Sequence, residues 1–318
     1  MLRTTQTQRL ATLVFAVIVM FARADAQQPA TRVPVPLVQA HKTIKLSEHV
    51  YLIPDGRVNL VPNIGFVIGN RATLVIDVGM GPKNGETVLS ELAAINKNPT
   101  IYIATTHFHP EHVTGAQAFP ASAIVIRNEV QQDEVVHKQP ERIENFSQRS
   151  PEIKALLQDV KPRPPDILFG NELKLDLGGV TARLFTRGPA HTKGDTFIFI
   201  QEDNVLFTGD VIVNRFFPIM PDADSSGKNW LAILDQLQAI HPSIVVPGHG
   251  EVGDARLFDT ERTYLNTVQT RVAELKSQGK SAEETSKMLT NEIRAKYPDW
   301  DNPEWIAVAA QRFYTDIK

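Results

Sequence analysis

The stretch Thr106-His107-Phe108-His109-Pro110-Glu111-His112 holds three of the nine histidines of the 318-residue chain. His107, His109 and Glu111 alternate as side chains do on an extended backbone, and His112 follows where a helix could begin. The apolar residues 101–104 precede this cluster and predict a buried strand. Imidazoles and a carboxylate this close together are typical of a site for zinc or a similar metal ion. The alternative interpretation is a polar turn whose histidines share no role.

The composition is that of a folded protein with a sizeable core, since 42% of the residues are hydrophobic and 22% are charged. The formal net charge of -3 gives no sign of a nucleic-acid-binding surface. Cysteine is absent, which excludes disulfides, thiolate ligands and cysteine nucleophiles. A metal site must therefore use nitrogen and oxygen ligands. The sequence contains no glycine-rich phosphate loop and no nucleophile elbow.

The amino terminus has the pattern of a secretory signal peptide. Arg3 and Arg9 precede an apolar run over residues 10–22, and Ala24-Asp25-Ala26 has small residues at both positions that signal peptidase reads. The pattern predicts a signal peptide over residues 1–26 and export, to the periplasm if the host has an outer membrane and outside the cell if it has none. An uncleaved anchor is the alternative, although the run is short for a membrane span. Residues 27–43 contain three prolines and predict an extended arm.

Residues 44–255 alternate short apolar strands with amphipathic helices, which predicts a layered α/β architecture. Three more polar motifs each follow an apolar strand, and they contain His191, Asp210 and His249. These motifs could therefore meet the first histidine cluster at one edge of the sheets. Residues 128–165 predict helices on the rim and a stiff connector, and these could form one wall of a cleft. Residues 256–318 predict a C-terminal extension of three helices.

In chain order, the motifs His-Phe-His-Pro-Glu-His, Ala-His-Thr-Lys-Gly-Asp-Thr, Thr-Gly-Asp and Pro-Gly-His-Gly resemble those of the metallo-β-lactamase fold hydrolases. The resemblance covers residues 44–255 and implies a four-layered αβ/βα sandwich with a metal site at the edge between two sheets. It implies that one metal is bound by His107, His109 and His191, that a second is bound by Glu111, His112 and His249, and that Asp210 bridges them.

The chain departs from the usual family pattern at two positions. Glu111 stands where most members have the shorter aspartate, so the first motif is an HxHxEH variant of HxHxDH. The best-known β-lactamase subclass has a cysteine near the position of Asp210, which this chain lacks. A bridging aspartate is more similar to the thioesterase, lactonase and glyoxalase-type branches, although it does not exclude lactamase activity.

The resemblance implies a metal-dependent hydrolase that acts on a small molecule, with two zinc ions or other divalent metals as cofactors. A hydroxide shared by the ions would attack the carbonyl of an ester, lactone, thioester or amide. Glu111 and Asp210 would orient that hydroxide and take its proton, so they are the catalytic candidates. A β-lactamase is the alternative activity, and an iron oxygenase of the same fold is less favoured. A non-catalytic periplasmic metal-binding or partner protein is the alternative class.

Several residues have expected supporting roles. Asp77 ends an apolar strand and should orient other polar groups, and Asp195 should order the loop of His191. Lys193 is either a surface lysine or a contact for an anionic substrate group. The aromatic residues 215–221 form either core or a pocket wall. The remaining histidines with no expected ligand role are His41, His49, His137 and His241.

Overall fold

A computed structural model describes residues 34–317 of the chain. The predicted signal peptide and the first part of the predicted arm lie outside these residues. The first of two sheets has seven strands, which are adjacent in the order of the chain. They are β1 (Ile44–Lys45), β2 (Val50–Ile53), β3 (Ile64–Ile68), β4 (Thr73–Ile76), β5 (Ile101–Ala104), β6 (Ile124–Asn128) and β7 (Ile167–Phe169).

The pairing of this sheet brings two polar segments together. Strands β1 to β4 are antiparallel, whereas β4, β5, β6 and β7 pair in parallel. Ile76 at the end of β4 is paired with Ala104 at the end of β5. Asp77 and the segment 105–112 therefore leave the sheet at the same edge, as expected for the carboxyl ends of parallel strands.

The second sheet has five strands, in the order β12-β11-β10-β9-β8. They are β8 (Glu172–Asp176), β9 (Thr181–Phe185), β10 (Phe197–Ile200), β11 (Val205–Val213) and β12 (Ile244–His249). Strands β8 to β11 are antiparallel neighbours, and β11 pairs with β12 in parallel. The last residues of β11 and β12 consequently lie side by side.

The helices lie in three groups along the chain. The first lies between strands β4 and β6 of the first sheet and contains α1 (Gly81–Ile95), α2 (Pro110–Val113) and a 3-10 turn (Thr114–Ala118). The rim contains α3 (Glu129–His137), α4 (Gln139–Ser147) and α5 (Pro151–Leu157). Helix α6 (Gly227–Gln238) connects β11 to β12, and the C-terminal extension consists of α7 (Arg256–Ser277), α8 (Ala282–Lys296) and α9 (Glu304–Asp316). No helix in residues 34–317 has the length and apolar character needed to cross a membrane.

The core has the four layers that the sequence predicts. Side chains alternate along each strand, so Leu74 and Ile198 lie in the cluster between the two sheets. Val75 faces the other way, towards α1 and the 3-10 turn. Phe197 faces outward from the second sheet, where α6 and all three helices of the C-terminal extension pack. The C-terminal extension is therefore part of the hydrophobic core of the second sheet.

Two strands are longer than the sequence analysis predicted. Strand β11 continues through Asp210 and β12 through His249, so these side chains project from within strands and do not follow them. The cause is Gly209, which has a φ of 52° and lies where the pairing of β11 with β12 shifts register. This bulge lets an apolar strand continue through a polar motif and turn the Asp210 side chain towards the edge. A Cβ at Gly209 would lie 2.6 Å from that of Thr106.

Candidate metal centre

The seven residues predicted as metal ligands converge at the edge where β5, β11 and β12 meet the loop of His191. Each is at most 5% exposed. Polar side chains buried to this extent are costly unless hydrogen bonds or ions compensate them. Three overlapping groups have ligand atoms within 4.8 Å of one another, namely His107, His109 and His191; His107, His112 and Asp210; and Glu111, His112 and His249.

The first group places three imidazole nitrogens around one point. The Nδ1 atom of His109 lies 3.1 Å from the Nε2 atom of His107 and 3.1 Å from the Nε2 atom of His191. The Oδ2 atom of Asp210 lies 3.9 and 3.7 Å from the same two Nε2 atoms. Three nitrogens and one oxygen at these separations suit four-coordinate binding of one ion at about 2.0–2.2 Å.

The third group, which contains Glu111, His112 and His249, lies on the other side of Asp210. Its Oδ1 atom is 3.5 Å from the Nε2 atom of His112 and 3.7 Å from the Nε2 atom of His249. Glu111 completes this group. The two oxygens of one carboxylate thus face two different sets of histidines, which is the arrangement of a carboxylate between two cations.

The buried polar atoms of this centre fit a divalent metal. His112 Nε2, Asp210 Oδ1 and Glu111 Oε2 are buried and have no hydrogen-bond partner within residues 34–317. Buried atoms of this kind usually have a partner. A divalent cation would satisfy all three, and the nitrogen and oxygen donors are those that zinc and similar ions prefer. The cluster is therefore a metal-binding centre.

Hydrogen bonds on the far side of the imidazoles fix their orientation. Asp77 Oδ2 lies 2.9 Å from the Nδ1 atom of His112. The Nδ1 atom of His191 lies 2.8 Å from the carbonyl oxygen of Ile219, and that of His249 lies 2.9 Å from the carbonyl oxygen of Val61. A proton on each Nδ1 leaves the Nε2 lone pair free for a metal. The expected orienting role of Asp77 is confirmed.

The ring of His109 has the opposite orientation to those of the other histidines described above. The acid that its second nitrogen contacts could not be predicted from the sequence. Its Nδ1 atom faces the cluster, and its Nε2 atom lies 3.4 Å from Oδ2 of Asp222. Asp222 is buried and also forms an ion pair with Arg142 of α4. The only signal in the sequence is an acidic residue just after the aromatic segment 215–221.

Burial and mutual charge set the protonation of the cluster. Burial holds the pKa of His107 well below its usual value and lowers that of His191 to about 4, so both imidazoles are neutral. Burial raises the pKa of Asp210, but the surrounding histidines outweigh it and lower the pKa to about 2. Burial lowers the pKa of His112, but Asp77 and Asp210 outweigh it and raise the pKa to about 9. The centre thus has an ionised carboxylate, Asp210, beside the neutral imidazoles of His107 and His191, and this combination attracts a cation.

The loop that carries His191 is held by two buried acids. Asp195 accepts hydrogen bonds from the backbone of Ala190 at 3.3 Å and of Thr192 at 3.1 Å. Glu134 of α3 accepts from the backbone of Lys193 at 3.1 Å and of Gly194 at 2.9 Å. The expected role of Asp195 is confirmed. Lys193 is exposed and is not among the residues that line the pocket, which favours the surface interpretation.

A pocket with about 600 Å³ of empty space, its open mouth included, leads to the metal centre. Its floor is the metal centre, of which His109, Glu111, Asp210 and His249 line the pocket directly, and its walls include Phe146 of α4 and Trp305 of α9. Residues 215–221 contribute both to the pocket wall and to the core, the two roles expected from the sequence. Phe216 lines the pocket, whereas Phe217 packs in the core against Tyr264 and Trp300. The C-terminal extension thus contributes to the wall of the candidate site.

Comparisons with known proteins agree with this fold and site. The sequence profile of the metallo-beta-lactamase superfamily matches residues 58–249. The chain therefore belongs to this superfamily. It is 24% identical over 237 residues to the beta-lactamase-like protein 2 homolog of Caenorhabditis elegans, covering 73% of this chain and 71% of that protein. It is 21% identical over 215 residues to the linear primary-alkylsulfatase of Pseudomonas sp. (strain ATCC 19151), covering 56% of this chain and 39% of that protein.

Solved structures confirm the predicted fold. A metallo-beta-lactamase from Pontibacter korlensis matches with a TM-score of 0.57 and 20% identity, over 70% of this chain and 98% of that one. The inverting sec-alkylsulfatase Pisa1 from Pseudomonas sp. matches with a TM-score of 0.65 and 13% identity, over 86% of this chain and 50% of that one. The chain spans about half of that structure and less of the primary-alkylsulfatase sequence.

Proposed function

We propose that the protein is a hydrolase that uses two divalent metal ions, zinc in the first place, to cleave a carbonyl ester, lactone, thioester or amide. The observation that carries the proposal is the position of Asp210. Its Oδ2 atom faces His107 and His191, and its Oδ1 atom faces His112 and His249. A carboxylate between two sets of buried nitrogens supports two ions that share a ligand.

In this proposal His107, His109 and His191 would hold one ion, and Glu111, His112 and His249 the other, with Asp210 between them. Bound divalent ions lower the pKa of a water molecule and polarise a carbonyl oxygen. The chain itself supplies orientation and proton acceptance. Asp210 is ionised because its pKa is about 2, so it can accept a hydrogen bond from the attacking water and align it.

Glu111 is the second acid in the proposed reaction. It is buried and lines the pocket floor, and its Oε2 atom has no hydrogen-bond partner among the described residues. This atom is therefore free either to complete the second metal site or to take the proton of the attacking water. Glu111 and Asp210 are almost fully buried, so both interactions are screened less than at the protein surface.

The experiment is a substrate panel measured on zinc-reconstituted protein, with metal content determined on the same sample. The panel contains chromogenic ester, lactone, thioester and β-lactam substrates. We expect turnover of at least one carbonyl class, loss of turnover on chelation and recovery on addition of zinc. Two bound ions without turnover of any member would favour the non-catalytic alternative. Activity that persists after complete metal removal would contradict the proposal.

A sulfate ester is the second candidate substrate, because two of the similarities reported above are to alkylsulfatases. An alkyl sulfate combines an apolar chain with a charged leaving group, and the pocket combines apolar walls with arginines. An alkyl sulfate therefore belongs in the panel. Its hydrolysis in preference to every carbonyl substrate would replace the proposed reaction while leaving the proposed metal centre intact.

We also propose that the chain is exported and that the mature protein begins at Gln27. The proposal is supported by the arginine-flanked apolar run and by Ala24-Asp25-Ala26. Mass spectrometry of the protein from its native host should find a mature chain that starts near Gln27 outside the cytoplasm. An intact Met1 in the membrane fraction would contradict this.

A further inference from the structure

The charged groups at the mouth of the pocket differ in whether the protein already neutralises them. Arg142, Arg149 and Glu304 line the pocket in addition to the acids of the metal centre. The guanidinium of Arg142 forms an ion pair with Asp222, the partner of His109. The charge of Arg142 is thus neutralised by the acid that contacts His109. Arg149 and Glu304 are the remaining charged side chains at the pocket mouth.

Arg149 is held in place without an acidic partner. It lies between α4 and α5, and its guanidinium stacks over the buried ring of Phe146 at 3.9 Å from the ring centroid. Among residues 34–317 it takes part in no ion pair, and its charged neighbours at longer range are Glu111, Arg142 and Glu304. Stacking uses the face of the guanidinium and leaves the N–H groups at its edge free.

A pre-positioned guanidinium is suited to one kind of ligand group. Its planar N–H fork matches the two oxygens of a carboxylate or a similar oxyanion, and charge-assisted pairs of this kind are among the stronger hydrogen bonds. Because Phe146 restricts the side chain, less conformational entropy is lost when an anion binds. Around it the pocket is apolar, with Leu60, Phe216, Ile219 and Trp305 in its walls.

We propose that Arg149 is a specificity-determining residue that binds an oxyanion on the apolar part of the substrate, away from the bond that is cleaved. The substrate class is then an apolar acyl or alkyl compound with a terminal carboxylate or a similar group. This inference rests on the proposed function, since it assumes that the pocket above the metal centre is the reaction site. Glu304 lines the same pocket, and its negative charge opposes anion binding. Removing this charge should therefore have the opposite effect to removing Arg149, which provides a control.

The test compares two chromogenic esters of equal chain length on the full zinc-loaded protein. One is the p-nitrophenyl ester of hexanoic acid, which is neutral, and the other is the mono-p-nitrophenyl ester of adipic acid, which ends in a carboxylate. Arg149→Gln should lower kcat/KM for the adipate ester about 10-fold or more, through KM, since a charge-assisted hydrogen bond is lost. The hexanoate ester should be unaffected.

Two further variants make the comparison specific. Glu304→Gln should raise kcat/KM for the adipate ester because it removes a repulsive charge. Arg294→Gln makes the same chemical change at an exposed position in the last turn of α8 and should affect neither ester. An equal loss for both esters in Arg149→Gln, or no loss for the adipate ester, would overturn the inference.

Binding measurements separate this inference from the proposed function. If wild-type protein cleaves neither ester, calorimetric titration with hexanoate and adipate still tests the subsite. Both ligands have one carboxylate for the metal centre, and only adipate has a second. Wild type should bind adipate about 10-fold more tightly, and Arg149→Gln should abolish the difference. A sulfonate in place of the second carboxylate distinguishes the two oxyanions. Equal binding of hexanoate and both dianions by wild type would overturn the subsite, whatever the protein hydrolyses.

Discussion

The floor and the mouth of the pocket are built in different ways. The floor consists of the seven buried residues of the metal centre, which project from strands and short loops, and most of them are oriented by backbone carbonyls or buried acids. The mouth consists of side chains from the α4–α5 segment and from α9, among which Arg149 and Glu304 are exposed. The superfamily profile covers the floor and the α4–α5 side of the mouth, and it ends before α7 and α9. The side of the mouth that α9 forms therefore lies outside the part of the chain that defines the family.

The largest effect should come from removing a ligand at the floor. His107→Ala deletes one of the nitrogens around the first site, so it should remove metal and activity together. Losing a partner of a ligand typically costs 10- to 100-fold, and losing a ligand itself should exceed about 100-fold. Metal analysis and turnover on the same sample check this. His137→Ala, at an exposed position of α3, is the control and should change neither. A His107→Ala protein with unchanged metal content would show that the first site is assigned wrongly.

The next effect concerns Glu111, the longer acid at the position where the family usually has aspartate. Glu111→Gln keeps the shape and removes the charge, so metal occupancy should fall towards one ion per chain and turnover should fall strongly. Glu111→Asp restores the usual family motif and should keep both ions. Two tightly bound ions and full activity in Glu111→Gln would mean that Glu111 is not a ligand. The second site would then consist of His112, His249 and Asp210.

The convergence of residues at the floor could be predicted from the sequence because each proposed ligand lies in a short motif beside an apolar strand. Parallel pairing of neighbouring strands then brings separate motifs to one edge, as Ile76 and Ala104 show. The length of β11 could not be predicted, because its continuation through Asp210 depends on the bulge at Gly209 and on pairing with a distant strand. Strand β7 was missed because it is short and follows a proline-rich connector.

The wall segments of the mouth could be predicted in outline, but their individual charged groups could not, because these come together only in the folded chain. Arg142 and Asp222 are separated by 80 residues, and neither lies in a recognisable motif. Arg149 belongs to the polar segment expected to form one wall of a cleft, and only its stacking on Phe146 distinguishes it from the other charged residues there. The apolar walls could be expected from residues 215–221, whereas the contribution of Trp305 required the packing of the C-terminal extension.

An intermediate effect is expected at Asp222, which connects the mouth to the floor. Asp222→Asn removes the charge that faces both His109 and Arg142, so metal affinity should fall about 10- to 100-fold, as for other partners of metal ligands. A competition titration with a chelator measures this. Asp224→Asn, in the same loop, removes only an exposed ion pair with Lys138 and is the matched control. Equal affinities in the two variants would show that Asp222 does not act through His109.

The smallest effect is expected where the C-terminal extension is attached to the mouth. Arg57 forms an ion pair with Asp301, and both side chains are partly exposed, at 30% and 43%. Two backbone hydrogen bonds also hold this segment. The N–H of Phe217 donates to the carbonyl oxygen of Asp301 at 3.2 Å, and the N–H of Asp301 donates to the carbonyl oxygen of Arg215 at 2.9 Å. Because these remain, Arg57→Gln should lower the free energy of unfolding by less than about 1 kcal/mol.

Arg57→Gln should also leave metal content and kcat unchanged, while KM rises modestly because Asn302 and Trp305, just beyond Asp301, line the pocket. Asp301→Asn should have the same effect, and the double variant should add nothing, since either single change already breaks the pair. Denaturant unfolding, metal analysis and kinetics on the three variants test this. A loss of metal in Arg57→Gln would mean that the wall from the C-terminal extension supports the metal centre itself. A change at the mouth would then also alter the metal centre at the floor. Substrate selectivity could in that case not be changed without changing the chemistry.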